Sequence, residues 1–202
     1  MDWLVYIEAA FQGLRGFLLS GGFRLTDASG SNPKGDVTLG FDIAAEQFIV
    51  DHFRETLPAP LRVIGEEQGV VDIGLGAPDF VCVVDPVDGS WNCSRGIEVG
   101  SFSAALIPAG QELRVENVCF AFTGNLFTGT TFSAHKGRGA MRGSVPICSS
   151  SLTDISQAVV GCEVTLRMED RWKVRRVSEL YRRARRVVSL GSAVTELSLV
   201  AS

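Results

Sequence analysis

The chain has 202 residues, 46% of them hydrophobic and 21% charged, with a net charge of −4. That length suits one large domain or one and a half smaller ones, with enough core to need no covalent staples, and the charge excludes a chain built as a whole to bind polyanions. Five cysteines (Cys82, Cys93, Cys119, Cys148, Cys162) and two histidines, none at zinc-ligand spacing, argue against a structural zinc site and for small buried thiols in a reducing compartment.

Residues 2–20 open the chain without a charged segment followed by an apolar one, so no signal peptide is read there. No stretch of the chain reaches the roughly 18 consecutive apolar residues of a membrane helix. A cytoplasmic protein without a membrane partner is expected. Leu4, Ile7, Phe11, Leu14, Leu18 and Leu19 recur at helical spacing, and Gly21-Gly22 ends that helix. Residues 26–37 are rich in turn formers and read as a loop or hairpin. A second helix is predicted from Asp42 to Leu57, with Ala45, Phe48, Ile49 and Phe53 on one face, and His52 at its surface. Pro58 and Pro60 close it.

Short strand-like runs follow at Arg62–Ile64, Phe80–Val84, Ser101–Ile107, Glu116–Thr123 and Thr130–Ala134. Gly, Pro and Asn separate them, which predicts a largely antiparallel sheet. From Ala158 the pattern changes to strand (Ala158–Val164), helix (Trp172–Ala184), strand (Arg186–Leu190) and helix (Ala193–Ala201). Alternation of that kind implies a second, α/β layer. The expected division is an N-terminal α+β domain over 1–150 and a partial α/β domain over 151–202. Eight of the 19 Lys and Arg lie between Arg171 and Arg186, at a spacing that suits a solvated helix face better than a nucleic-acid site.

The most informative segment is Val83-Val84-Asp85-Pro86-Val87-Asp88-Gly89-Ser90. An apolar strand runs into two aspartates, a glycine and a hydroxyl residue. Pro86 fixes its own φ and removes a donor, and Gly89 lets backbone approach a ligand closely. Such a turn can aim Asp85, Asp88 and the Val87 carbonyl at one point and offer the Gly89 and Ser90 amides to an anion. An oxygen-only set of this kind suits magnesium, with substrate phosphate completing the shell. Gly65-Glu66-Glu67 also follows an apolar strand; if the two strands adjoin, Glu66 faces the same cluster. Asp36 and Asp42 supply a third acidic element. Each motif alone is more often a turn than a metal site, and the case rests on their order and context together.

In that order the residues resemble the inositol monophosphatase family: Asp42, then Gly65-Glu66-Glu67, then Asp85 to Ser90. Asn92 and Gly96 after the acidic motif, Asn125-Leu126 with the Lys136-Gly-Arg-Gly-Ala140 turn, and Gly191-Ser192-Ala193 agree with the same family. The style is closest to archaeal members with inositol monophosphatase and fructose-1,6-bisphosphatase activity. The resemblance implies the layered αβαβα sandwich of sugar phosphatases, within the α+β class, with an antiparallel N-terminal sheet. It implies Mg2+ held by Glu66, Asp85, the Val87 carbonyl and Asp88. Asp42 and Ser90 would orient and activate the attacking water, and the Gly89 and Ser90 amides would hold phosphate. Ser90 stands where many members have Thr, which keeps the hydroxyl.

The implied substrate is a small phosphorylated sugar or polyol. A 3′-phosphorylated nucleotide is the rival, though such relatives carry a Lys after the acidic motif where this chain has Trp91-Asn92. Lys136 and Arg138 could contact phosphate or simply form a turn, and Trp91 could line the pocket or pack. A homodimer is suggested by the family. Family members carry a further metal-binding Asp in a Trp-Asp-x-Ala-Ala-Gly motif beyond the Gly-Ser-Ala helix, and Ser202 falls inside that helix. The sequence therefore also admits a truncated, catalytically impaired paralogue serving as a metal-binding or interaction module.

Overall fold

A computed structural model describes residues 1–24, 28–31, 37–162 and 171–200. The Asp2 side chain accepts the Leu4 amide at 3.2 Å and so caps α1 (Trp3–Leu19). Ile7, Phe11, Leu14 and Leu18 lie buried along one stripe of α1. Leu19, expected on that stripe, is 47% exposed, because one residue of helix turns the side chain well away from Leu18.

The turn-rich segment is a hairpin of β1 (Ala28–Ser31) and β2 (Val37–Leu39). Asp36 lies outside the described residues. Helix α2 (Gly40–Thr56) begins two residues before Asp42. Asp42 sits in its first turn and reaches back to accept the Leu39 amide at 3.2 Å. Phe41, Ala45, Ile49 and Phe53 are buried on one face. His52 is half-buried rather than on the surface, beside Phe48 and Phe53.

The main sheet has eight strands: β3 (Leu61–Ile64), β4 (Val70–Ile73), β5 (Phe80–Asp88), β6 (Ser101–Pro108), β7 (Phe120–Asn125), β8 (Thr131–His135), β9 (Gly139–Arg142) and β10 (Val145–Ile147). Their order is β10-β9-β8-β7-β6-β5-β3-β4, antiparallel throughout except for the parallel pair β3–β5. The strand expected at Glu116 starts only at Phe120; Val115–Asn117 is a 3-10 turn. The edge strand β4 and the short β9 and β10 escape a reading based on apolar runs, since most of their residues are exposed or half-buried.

Helices α1 and α2 cover one face of this sheet. Cys82, Val84, Phe102, Leu106, Phe120 and Phe122 meet them there, and the Phe11 ring lies 5.9 Å from Phe102 and 5.7 Å from Phe122. Further along come α3 (Ser90–Cys93), β11 (Val159–Gly161), α4 (Arg171–Arg183), β12 (Arg186–Val188) and α5 (Ala193–Leu199). Strands β11 and β12 pair in parallel in a separate two-stranded sheet. Positions 163–164 of the expected strand and 201 of the expected last helix lie outside the described residues. None of the described side chains of α4 is buried, so its basic run is solvated.

Helix α5 packs on the opposite face of the main sheet from α1 and α2. Thr195 Oγ1 lies 2.8 Å from Ser101 Oγ, and Ser198 Oγ lies 2.8 Å from Thr123 Oγ1. The class is α+β, with helices against both faces of a mixed sheet. Among the described residues no helix is long and apolar enough to cross a membrane. Of the five thiols, Cys82 and Cys93 are buried as expected, but Cys148 is exposed.

Candidate active site

Side chains alternate between the faces of a strand, so two aspartates three positions apart should point to opposite sides. In β5 they do not. Asp85 pairs with Ser103 and Asp88 with Ser101, so three steps on β5 match two on β6. One extra residue is accommodated at Pro86-Val87 as a β-bulge, which restores the parity and turns both carboxylates to the face of Ser101 and Ser103. Proline suits that position because it has no N–H to offer the ladder.

The parallel pairing of β3 with β5 sets Ile64 opposite Val83, so Gly65-Glu66 follow β3 at the end of the sheet where β5 carries Asp85. The two strands do adjoin, as the acidic order required. Glu66 and Asp85 line one cavity of about 540 Å³, closed on the other side by Val194 and Leu197 of α5.

Asp42 comes to this end from α2. Its Oδ1 accepts the Ser90 hydroxyl at 2.7 Å, and the same hydroxyl lies 2.9 Å from the Val87 carbonyl oxygen. A serine hydroxyl has one proton, so it satisfies one of these acceptors at a time unless Asp42 itself carries a proton. Burial, opposed by the hydrogen bonds from Ser90 and the Leu39 amide and reinforced by the charges of Glu67 and Glu66, pushes Asp42 up to about 6, so near neutral pH the carboxylate still prevails and can accept a proton. Asp85 is pushed up to about 7 by burial and by the charges of Asp88, Glu66 and Asp42, against the weak pull of the Val87 amide at 3.2 Å. The carboxylates therefore share one electrostatic neighbourhood, and each raises the cost of ionising Asp85.

Asp88 is already engaged on one side. Its Oδ2 accepts the Ser192 hydroxyl at 2.5 Å and the Val194 amide at 2.8 Å, so it caps α5 from a distant strand. Among the described residues no three His, Cys, Asp or Glu side chains already have the arrangement of a metal shell. The chemistry of the set nonetheless fits a hard divalent cation: the donors are oxygens, the carboxylates repel one another, and two of them, Glu66 and Asp85, border a cavity.

Gly89 has φ 97°, and a Cβ there would lie 2.9 Å from the Val99 carbonyl and 3.2 Å from Ser192 Cβ. The space that glycine provides is taken by the chain itself, not left for a ligand. Gly89 caps α3, and its carbonyl accepts the Asn92 amide at 2.9 Å and the Cys93 amide at 3.1 Å, so the amides of Ser90 and Trp91 are the ones left without an intrahelical acceptor. Asn92 Nδ2 reaches the carbonyls of Leu190 at 2.7 Å and of Val99 and Gly191 at 3.2 Å, tying the acidic motif to the β12–α5 junction. Trp91 is 54% exposed, with the Arg95 guanidinium 4.4 Å above its ring, so it neither packs nor lines the cavity. Lys136 donates to the Glu116 carbonyl and so ties the β8–β9 turn to the 3-10 turn before β7.

Two residues escaped the sequence reading. Ser192 was noted only as part of a motif. Glu46, whose carboxylate holds the turn after β3, does carry a sequence signal: a charge on the apolar face formed by Phe41, Ala45, Ile49 and Phe53.

Solved structures of similar shape share this α+β architecture. The extragenic suppressor protein suhB of Bartonella henselae superimposes with a TM-score of 0.84 at 19% identity, covering 100% of this chain and 74% of that one. The Thermotoga maritima IMPase gives 0.78 at 23% identity, covering 99% and 72%. The model of the inositol monophosphatase family matches residues 10–202, and the chain belongs to that family. A fructose-1,6-bisphosphatase/inositol-1-monophosphatase of Methanothermobacter thermautotrophicus is 34% identical over 173 residues, which are 83% of this chain and 60% of that protein. A bifunctional NADP phosphatase/NAD kinase of Methanococcus maripaludis is 29% identical over 184 residues, 83% of this chain and 31% of that protein. The chain thus spans less than two thirds of the length of these two relatives.

Proposed function

We propose that the chain is a magnesium-dependent phosphomonoesterase acting on small sugar or polyol phosphates of the inositol-1-phosphate or fructose-1,6-bisphosphate type. The observation that carries this reading is the electrostatic coupling of Asp85 to Asp88, Glu66 and Asp42 beside a cavity, with the Ser90 hydroxyl held between Asp42 and the Val87 carbonyl.

Glu66, Asp85, the Val87 carbonyl and Asp88 would hold the ion. When bound it supplies positive charge to the entering and leaving oxygens of phosphoryl transfer. Ser90 orients the attacking water through its hydroxyl, and Asp42, one hydrogen bond behind, receives the proton. The Gly89 and Ser90 amides, at the start of α3, would hold the phosphate. The five free thiols support a reducing, cytoplasmic setting, and the family resemblance suggests a homodimer.

The test is release of phosphate from inositol-1-phosphate and fructose-1,6-bisphosphate, with magnesium and with a chelator. Magnesium-dependent release from either supports the reading, and none from either sinks it. The likeness to an NADP phosphatase calls for NADP and a 3′-phosphorylated nucleotide as further arms. Preference for those would keep the chemistry and move the substrate to nucleotides.

A further inference from the structure

Glu46 is 1% exposed, yet no step of the proposed reaction uses it. It stands one turn after Asp42 on α2, and residues four apart share a helix face. A buried carboxylate is costly unless hydrogen bonds take up its charge. Here backbone amides do so. Oε2 accepts the N–H of Glu67 at 2.8 Å and Oε1 that of Gln68 at 2.8 Å. Each oxygen fixes one amide, so the carboxylate clips the two residues that follow Glu66. The approach is close: a Cβ on Gly65 would lie 2.2 Å from the Glu46 carboxyl carbon. The turn is closed independently by the Gly65 amide on the Gly69 carbonyl at 2.9 Å.

We propose that Glu46 is a positioning residue for Glu66. Helix α2 presents two carboxylates, one per turn. Asp42 holds Ser90, and Glu46 holds the turn over 65–68, so both acidic segments are referred to one rigid helix. The purpose of the clip rests on the magnesium-phosphatase reading; the clip itself does not. A carboxylate is required because both of its oxygens accept. In Glu46→Gln one oxygen becomes an NH2 group facing an amide N–H, and that amide loses its acceptor. Backbone amides also take up the charge of Glu46 without placing a cation beside the proposed ion.

The experiment compares wild type, Glu46→Gln and Gly65→Ala by backbone amide exchange without metal and by calorimetric titration with magnesium. In Glu46→Gln the Glu67 and Gln68 amides should exchange roughly 10-fold faster, while β5 to β7 keep their protection. Magnesium affinity should fall roughly 10–100-fold, the loss typical when a group supporting a ligand is removed. A merely structural role would lower the melting temperature and leave the affinity of the folded protein unchanged, and that result overturns the proposal. If Glu46→Gln does not fold, Gly65→Ala carries the test, since it pushes the turn off the carboxylate without altering α2, and the same losses are expected. If wild type binds no magnesium, the functional reading fails by itself. The exchange arm then still decides the clip: unchanged Glu67 and Gln68 exchange refutes it.

Discussion

Among the described residues, Asp85 and Asp42 are carboxylates whose ionisation the fold opposes, and the opposition has a direction with pH. Both start from 3.8, and burial among like charges moves them to about 7 and about 6 in the folded chain. Between those limits the folded state keeps protons that the unfolded state has released, so raising the pH through the window favours unfolding. The metal-free melting temperature should therefore fall from about pH 4 to about pH 7. Asp85→Asn, neutral throughout, should flatten the fall. A wild-type melting temperature that rises across the same window more steeply than that of Asp85→Asn would contradict the assignment. Magnesium competes with these protons, so its affinity should climb over the same range. Asp42→Asn belongs to the same scale. Asp42 faces Ser90 rather than the proposed ion, so turnover should drop roughly 10²–10⁴-fold with little change in magnesium affinity. Equal losses in both would place Asp42 among the ligands instead.

Elements decide which of these residues meet. The spacing Asp85-Pro86-Val87-Asp88 was plain in the sequence, but the strand was read as stopping at Val84. Strict alternation has no place for an inserted residue, and the bulge that turns both aspartates to one face is visible only in the pairing with β6. The parallel register of β3 and β5 was equally hidden, because apolar runs reveal strands but not their order. Asn92 shows the same limit. The motif placed it after Ser90, and only the fold shows its amide reaching three carbonyls around the β12–α5 junction. Removing that amide in Asn92→Ala leaves part-buried carbonyls short of a donor, at a cost of about 1–3 kcal/mol. For a chain of this size that is a fall of roughly 2–10 °C in melting temperature. An Asn92→Ala protein that melts with wild type would show that the junction is held by other contacts, Asp88 on Ser192 first among them.

Across the whole molecule, stability should be unevenly spread. The eight-stranded sheet and the two helices on it contain the Phe-rich core, with Phe11, Phe41, Phe53, Phe102, Phe120 and Phe122 all fully buried. That half was legible because its helices and central strands carry clean periodicity. The region after Ala158 was legible as alternating strand and helix, but its strand pairing was not, since pairing depends on partners that periodicity does not name. Strands β11 and β12 are three residues each and among the described residues pair only with each other, and α4 has no buried described side chain. Elements with few buried apolar contacts open locally at low cost. Amide exchange should accordingly be slow across β5, β6 and β7 and fast across β11, α4 and β12. Helix α5 should lie between, because Asp88, Ser101 and Thr123 each hold it to the main sheet by one or two hydrogen bonds. Magnesium drawn to Asp88 would compete for the carboxylate that caps α5, so adding the ion should change exchange at Val194 while β11 and β12 stay as they were. Uniform protection of the two halves, or a magnesium response spread evenly over both, would show that the halves behave as a single cooperative body.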